Sequence, residues 1–130
     1  MLFNTAFLNT TFILNTVIVL IALLHIWFLI LEMFLWQKSI GLKLFRLDQS
    51  FAHQSAPLAA NQGLYNGFLS AGLLWSVLSH DPIQAWHLKI FFLSCVALAG
   101  IYGALSVNAR IFIIQALPAI LTLIFIWITS

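Results

Sequence analysis

Between Asn15 and Trp36 the chain stays apolar for the length of a bilayer crossing and admits one charged residue, Glu32. A helical crossing takes about 20 predominantly apolar residues, and similar runs recur near 59–78, 83–106 and 111–129. Four such runs with their connections use up the 130 residues, so no room is left for a domain outside the lipid. The chain reads as one transmembrane domain over 1–130. Composition agrees: 6% of the residues are charged and 63% are hydrophobic, whereas a soluble domain carries roughly 25% charge and needs polar side chains to cover its surface. The expected fold class is all-α, an integral membrane four-helix bundle with up-down topology.

The breaks between runs set the connections and the orientation. Gln37-Lys38-Ser39 ends the first run, and the long connection to Pro57 carries Lys38, Lys43, Arg46 and Asp48. Within it Leu42, Leu44, Phe45, Leu47 and Phe51 alternate loosely with polar residues, as an interfacial segment does. In Ser79-His80-Asp81-Pro82, Asp81 is the expected N-cap, Pro82 the first helical residue and Gln84 the capping-box position. Val107 to Arg110 is short enough to make the third and fourth spans antiparallel neighbours. Lys and Arg cluster at the first and third connections and are missing from the second and from the stretch before Asn15. By the positive-inside rule both termini face outside. That uncharged beginning also lacks the basic region of a secretory signal, so the first span is expected to be retained. Lys89, near the outer end of the third span, is expected to snorkel to the interface. Trp36, Trp75, Trp86 and Trp127 fall near span ends, as aromatic belts do.

Polar groups inside the runs are the informative ones, because an ionisable side chain in hydrocarbon is costly and normally faces the bundle interior or a partner. At about 100° per residue, His25 lies between Glu32 and Trp36, about 20° from each, so the three share a face. Glu32 stands about one turn from the cytoplasmic end, and the plain alternative is that it snorkels to water or pairs with Lys38. The second run opens Asn61-Gln62-Gly63-Leu64-Tyr65-Asn66-Gly67. Helical angles put Asn61, Gln62, Tyr65 and Asn66 on one arc of about 140°, with Gly63 and Gly67 opposite. Gly63, Gly67 and Ala71 form a small-residue stripe for close helix approach, and Gly100 and Ala104 offer a matching one. Counted from the cytoplasmic ends, Glu32, Gln62, Asn66, Tyr102 and Gln115 fall about 4–11 Å deep, with His25 deeper. The binding candidates are therefore His25, Glu32, Trp36, Asn61, Gln62, Tyr65, Asn66, Tyr102 and Gln115. Their layer is either a pocket open to the cytoplasm or a structural hydrogen-bond network. Glu32 needs a donor at its own depth, so it and Asn66 are expected close together on the walls of one solvent-reachable cavity opening to the cytoplasm.

Other chemistries are disfavoured. No basic patch is large enough to track phosphates, so nucleic acid is not an expected partner. His25 and Glu32 lack the spacing that chelates metal from one helix, and one mid-membrane histidine does not make a bis-histidine haem site; no metal and no cofactor are expected. Cys95 is the only cysteine and reads as a packing residue.

Four blocks, Leu31-Glu32-Met33-Phe34-Leu35-Trp36, Ala59 through Leu69, Gly100-Ile101-Tyr102-Gly103-Ala104 and Gln115-Ala116-Leu117-Pro118-Ala119, resemble in order and spacing a small bacterial integral-membrane family. It is known only as domain of unknown function thirteen-zero-four. The resemblance covers nearly the whole chain. It departs where the family often carries an acid before the first-span histidine and this chain has Leu24. More distantly the family looks like four-span proteins of the DoxX type, some tied to quinone-linked redox systems. The resemblance implies a multi-pass protein of the bacterial inner membrane and leaves the activity open. The leading expectation is binding or transport of a small polar or amphipathic molecule, with the lipid bilayer as partner and a homodimer supplying a second half. An intramembrane enzyme or quinone-linked redox subunit is the second reading, and a structural accessory subunit the third.

Overall fold

A computed structural model describes residues 2–129, with side chains from residue 9 onward. Among the described residues it is all helix, with no strand. Helix α1, Leu2–Ile30, runs unbroken into a π-helical turn, Leu31–Leu35. Then come α2, Ser39–Phe45, α3, Gln49–Leu78, and α4, Pro82–Ser106. A second π-helical turn, Phe112–Ala116, leads into α5, Leu117–Thr129. Three stretches among the described residues are long and apolar enough to cross a membrane: Asn9–Leu35, Pro82–Ser106 and Phe112–Thr129. α3 has the length, at 30 residues, but its Asn- and Gln-rich first half keeps its hydropathy below that of the other three.

Two element boundaries differ from the sequence reading. α1 is helical well before Asn15, and α3 starts at Gln49 rather than near 59, passing through Pro57. Asp48 caps α3, its Oδ1 accepting the Phe51 amide at 2.8 Å. Pro57 breaks nothing because both it and His53, whose carbonyl it deprives of a donor, are exposed, so the freed oxygen can turn outward. The segment before α3 contains a short helix, α2. α2 folds tightly onto the end of α1: a Cβ at Gly41 would collide with the carbonyl oxygens of Leu35 and Trp36. Arg46 closes α2 in the left-handed region, φ 54°, returning its amide to the Leu42 carbonyl.

Contacts divide the chain into two compact units. The first, Leu23–Ala71, holds the end of α1, its π turn, α2 and most of α3. Its buried residues include His25, Leu31, Ala52, Ala59, Asn66 and Ser70. Here the glycine stripe lies on α1: a Cβ at Gly63 would stand 2.8 Å from Met33 Cγ and 3.0 Å from Glu32 Cβ, and one at Gly67 2.6 Å from Leu29 Cδ1.

The second unit comprises the residues up to Ala22 and from Gly72 onward. Ile18, Leu73, Leu93, Val96, Ala116, Ala119 and Ile126 are buried in it. α4 packs on α5 and the π turn before it. A Cβ at Gly100 would stand 2.5 Å from the Ala116 nitrogen, so the Gly100 stripe serves this hairpin and not the Gly63 stripe it was expected to match. The connection is tied by the Val107 and Asn108 amides, both donating to the Gly103 carbonyl at 2.9 and 3.1 Å, and by Asn108 Oδ1 accepting the Arg110 amide at 2.9 Å. Asp81 caps α4 as its position predicts, its Oδ1 accepting the Ile83 and Gln84 amides at 2.8 and 3.2 Å. The Gln84 side chain, placed by the sequence at the capping-box position, accepts instead from the Ser79 hydroxyl at 2.9 Å. Lys89 donates to Asn15 Oδ1 at 2.7 Å, an α1 partner that the snorkelling expectation did not foresee. Large apolar side chains stand outward, Leu105 at 84% exposure and Ile128 at 76%, as lipid-facing residues do.

Candidate functional site

Glu32 sits inside the π turn that ends α1. Such a turn closes i→i+5 bonds instead of i→i+4 and marks functional positions more often than ordinary helix does. It also ends the regular angular spacing, so a face counted from His25 at 3.6 residues per turn does not carry through to Trp36. His25, about two turns before Glu32, is fully buried with its ring edge-on to Phe28 at 5.7 Å. Trp36 is half-buried: its Nε1 donates to Ser55 Oγ at 3.0 Å and its ring lies 4.8 Å from that of Phe45. Trp75, Trp86 and Trp127 are exposed, as belt residues are, and Trp36 alone among these four turns inward.

Asn66 on α3 donates its amide to Glu32 Oε2 at 2.7 Å. The pairing is the one that depth matching gave. Its partners in the expected arc do not follow: Asn61, Gln62 and Tyr65 are exposed while Asn66 is buried. The reason is angular. Asn66 lies about 60° from Gly63 on the helix and Asn61 about 160° away, so the face that Gly63 turns to α1 takes in Asn66 and excludes the other three. Tyr102, 73% exposed on α4, and Gln115, half-buried in the second π turn, belong to the other unit.

A cavity of about 210 Å³ adjoins this pair, lined by Glu32, Met33, Phe34, Trp36, Gln37 and Lys38 at the end of α1 and by Ala56 of α3. Asn66 is not on its wall, contrary to the expectation that both residues would line one cavity, and meets it only through its bond to Glu32. The far edge is pinned by Gln37, whose Oε1 lies 3.2 Å from His53 Nδ1. Among the described residues Glu32 makes no ion pair, so the expected alternative partner Lys38 shares the cavity without bridging to it. A carboxyl group offers about four lone-pair positions, and one oxygen is engaged. The other can accept a hydrogen bond or a cation from the cavity. No group of three or more His, Cys, Asp or Glu among the described residues could hold a metal ion. Sequence reasoning missed Met33, Phe34, Gln37, Lys38 and Ala56 as lining residues; the first four lie within six residues of Glu32, a usable signal, whereas Ala56 comes from α3.

Fold and site define an all-helical protein with three stretches long and apolar enough to cross a membrane and an acid–amide pair set beside a small cavity. Residues 19–127 match the model of the DUF1304 family, described as proteins of unknown function, and the chain belongs to that family. It is 31% identical over 108 residues to the uncharacterized protein YpaA of Lactococcus lactis subsp. lactis (strain IL1403), covering 81% of this chain and 88% of that one. No solved structure matches it.

Proposed function

We propose that this chain is a multi-pass protein of the bacterial inner membrane that binds or transports a small polar or amphipathic molecule in the cavity beside Glu32. The observation that carries the reading is the 2.7 Å Asn66–Glu32 bond at the edge of that cavity. A carboxyl group placed in an apolar run is costly, and this one is held in position with one oxygen engaged and no ion pair offsetting its burial.

All four long helices cross, α3 included, in up-down order. Its 30 residues reach about 45 Å, more than the roughly 30 Å of a hydrocarbon core. Its polar beginning therefore stands in the headgroup layer, and exposed Asn61 and Gln62 lie within about a turn of it. Lys38, Lys43, Arg46 and Arg110 mark the cytoplasmic side, so the cavity opens there and both termini face outside. A homodimer would supply the second half of a transport path. The DoxX-like resemblance implies the same four-span architecture.

The test uses the protein in nanodiscs against a panel of metabolites, with wild type and Glu32→Gln compared by thermal shift. Gln keeps the shape and an oxygen for Asn66 while removing the acid. Wild type is expected to gain stability with at least one compound, and the variant to fold normally without that gain. Equal shifts in both proteins would move the site away from Glu32. No shift in wild type would leave a structural accessory subunit, in which the Asn66 bond is simply a helix-to-helix tie.

A further inference from the structure

The cavity beside Glu32 has two poles. At one end is the Glu32 carboxyl group, with Oε2 taken by Asn66 and no ion pair among the described residues. At the other is Lys38, exposed, lining the same cavity, its ammonium without a hydrogen-bonding partner among the described residues. The rest of the lining is Met33, Phe34, Trp36, Gln37 and Ala56, with the Trp36 nitrogen donating to Ser55 and Gln37 Oε1 lying 3.2 Å from His53 Nδ1. We propose that the cavity takes a water-soluble zwitterion, an amine and an acid joined by a short carbon chain, which enters amine first so that its ammonium meets Glu32 and its acid meets Lys38. This rests on the reading of the cavity as a ligand site open to the cytoplasm.

Charge placement selects the class. An acid alone would meet the Glu32 carboxylate, and a simple amine would leave Lys38 unanswered beside a second cation; each costs a like-charge contact or an unpaired charge in a partly desolvated space. A zwitterion answers both charges, and its short carbon chain has Met33, Phe34 and Ala56 to lie against. The cavity volume of about 210 Å³ suits a small molecule. Glu32 lies in the π turn and Lys38 is the extended residue that precedes α2, so both charges line the cavity from the junction of the two helices.

Polarity also separates this ligand from the zwitterions of the bilayer. Glu32 lies within the apolar stretch that ends at Leu35, and Lys38 follows beyond its end, so the negative pole is the deeper one. A phosphatidylethanolamine headgroup carries its phosphate toward the tails and its amine toward water, the opposite order. The cavity therefore repels at both ends the lipid that surrounds it and accepts a soluble molecule arriving from the water side.

The experiment measures binding by calorimetry to protein in phosphatidylcholine nanodiscs. The probes are glycine, γ-aminobutyrate and ε-aminohexanoate, with n-butylamine and butyrate as single-charge controls. At least one amino acid is expected to bind roughly tenfold or more tightly than either control, as befits two charge-assisted contacts instead of one. Lys38→Gln, a change at an exposed position, should bring that amino acid down to the level of n-butylamine, and Glu32→Gln should bring it down to the level of butyrate. Butylamine binding as tightly as the amino acids, or Lys38→Gln without effect, overturns the zwitterion and leaves the ligand site standing. So does a response to other metabolites in the wider panel with none to these amino acids. Competition by phosphatidylethanolamine added to the nanodisc overturns the soluble ligand in favour of a headgroup. Silence toward every compound in both screens removes the ligand site itself and the proposal with it.

Discussion

Each of the two π-helical turns meets a glycine of a neighbouring helix, and they use the same distortion differently. In the Leu23–Ala71 unit the turn at Leu31–Leu35 presents Glu32 to Asn66, and the glycine opposite, Gly63, meets side-chain atoms of Met33 and Glu32. In the other unit the turn at Phe112–Ala116 brings backbone against backbone: Gly100 faces the nitrogen and Cα of Ala116 at 2.5 and 2.9 Å from a built Cβ. A widened turn thus does one of two things in an apolar helix. It lets a neighbouring main chain approach, or it offsets a side chain so that a polar partner and a cavity fit beside it. The first contact is about shape, and the second is about chemistry.

One substitution made at both glycines breaks or sharpens this contrast. Gly100→Ala pushes a methyl group into backbone that no rotamer change can move, and should cost about 2–3 kcal/mol, the upper part of the overpacking range. It would be read as a loss of thermal stability in detergent followed by circular dichroism. Gly63→Ala meets first the flexible Met33 side chain and should cost about 1 kcal/mol. If Gly63→Ala is the more damaging, the α1 contact is the tighter one and the distinction fails. Next in size is Asn66→Ala, which leaves the Glu32 carboxyl group without its donor. A loss of about 1–2 kcal/mol is expected, at the high end for hydrogen bonds between membrane helices. A cycle with Glu32→Ala, which removes the acceptor, should show coupling above about 0.5 kcal/mol, and independent effects would mean that the bond contributes nothing.

The sequence carries more of the fold than of the site, and the reasons are physical. The apolar runs mark where α1, α4 and α5 lie because hydropathy summed over a span is a strong signal. The start of α3 is illegible because Pro57 predicts a break, and only the exposure of its face permits a helix through it. The Glu32–Asn66 contact was within reach because a carboxyl group in lipid has few affordable partners at its depth. The rest of the amide arc was not, since an arc of about 140° cannot say which edge turns inward until a neighbouring helix has chosen a face. Here Gly63 and Gly67 make that choice, so Asn66 is taken in and Asn61, Gln62 and Tyr65 are left out. Neither π turn announces itself in composition, and both displace the angular count that the sequence reading relied on.

Smaller effects probe how far each region depends on its polar ends. Asp81→Ala removes the cap at the head of the α4–α5 hairpin and should cost about 1 kcal/mol, the usual value for an N-cap carboxylate, because two α4 amides lose their shared acceptor.

The smallest predicted change is Trp36→Phe, and it distinguishes packing from hydrogen bonding at the cavity wall. Phe keeps an aromatic ring against Phe45 but removes the Nε1 donor that holds Ser55 at 3.0 Å. Ser55 is left with its own bond to the Phe51 carbonyl at 2.7 Å, so its hydroxyl stays satisfied and the loss should be only about 0.5 kcal/mol, the low end for a net intramolecular hydrogen bond. Ser55→Ala should cost the same or slightly more, since it strands the indole nitrogen near a polar cavity that can hydrate it. Thermal denaturation of both variants checks the pair. A loss above about 2 kcal/mol for Trp36→Phe would mean that the indole ring, and not the cluster around Glu32, fixes the end of α1 against α3, and the two π turns would then differ less in kind than their polar residues imply.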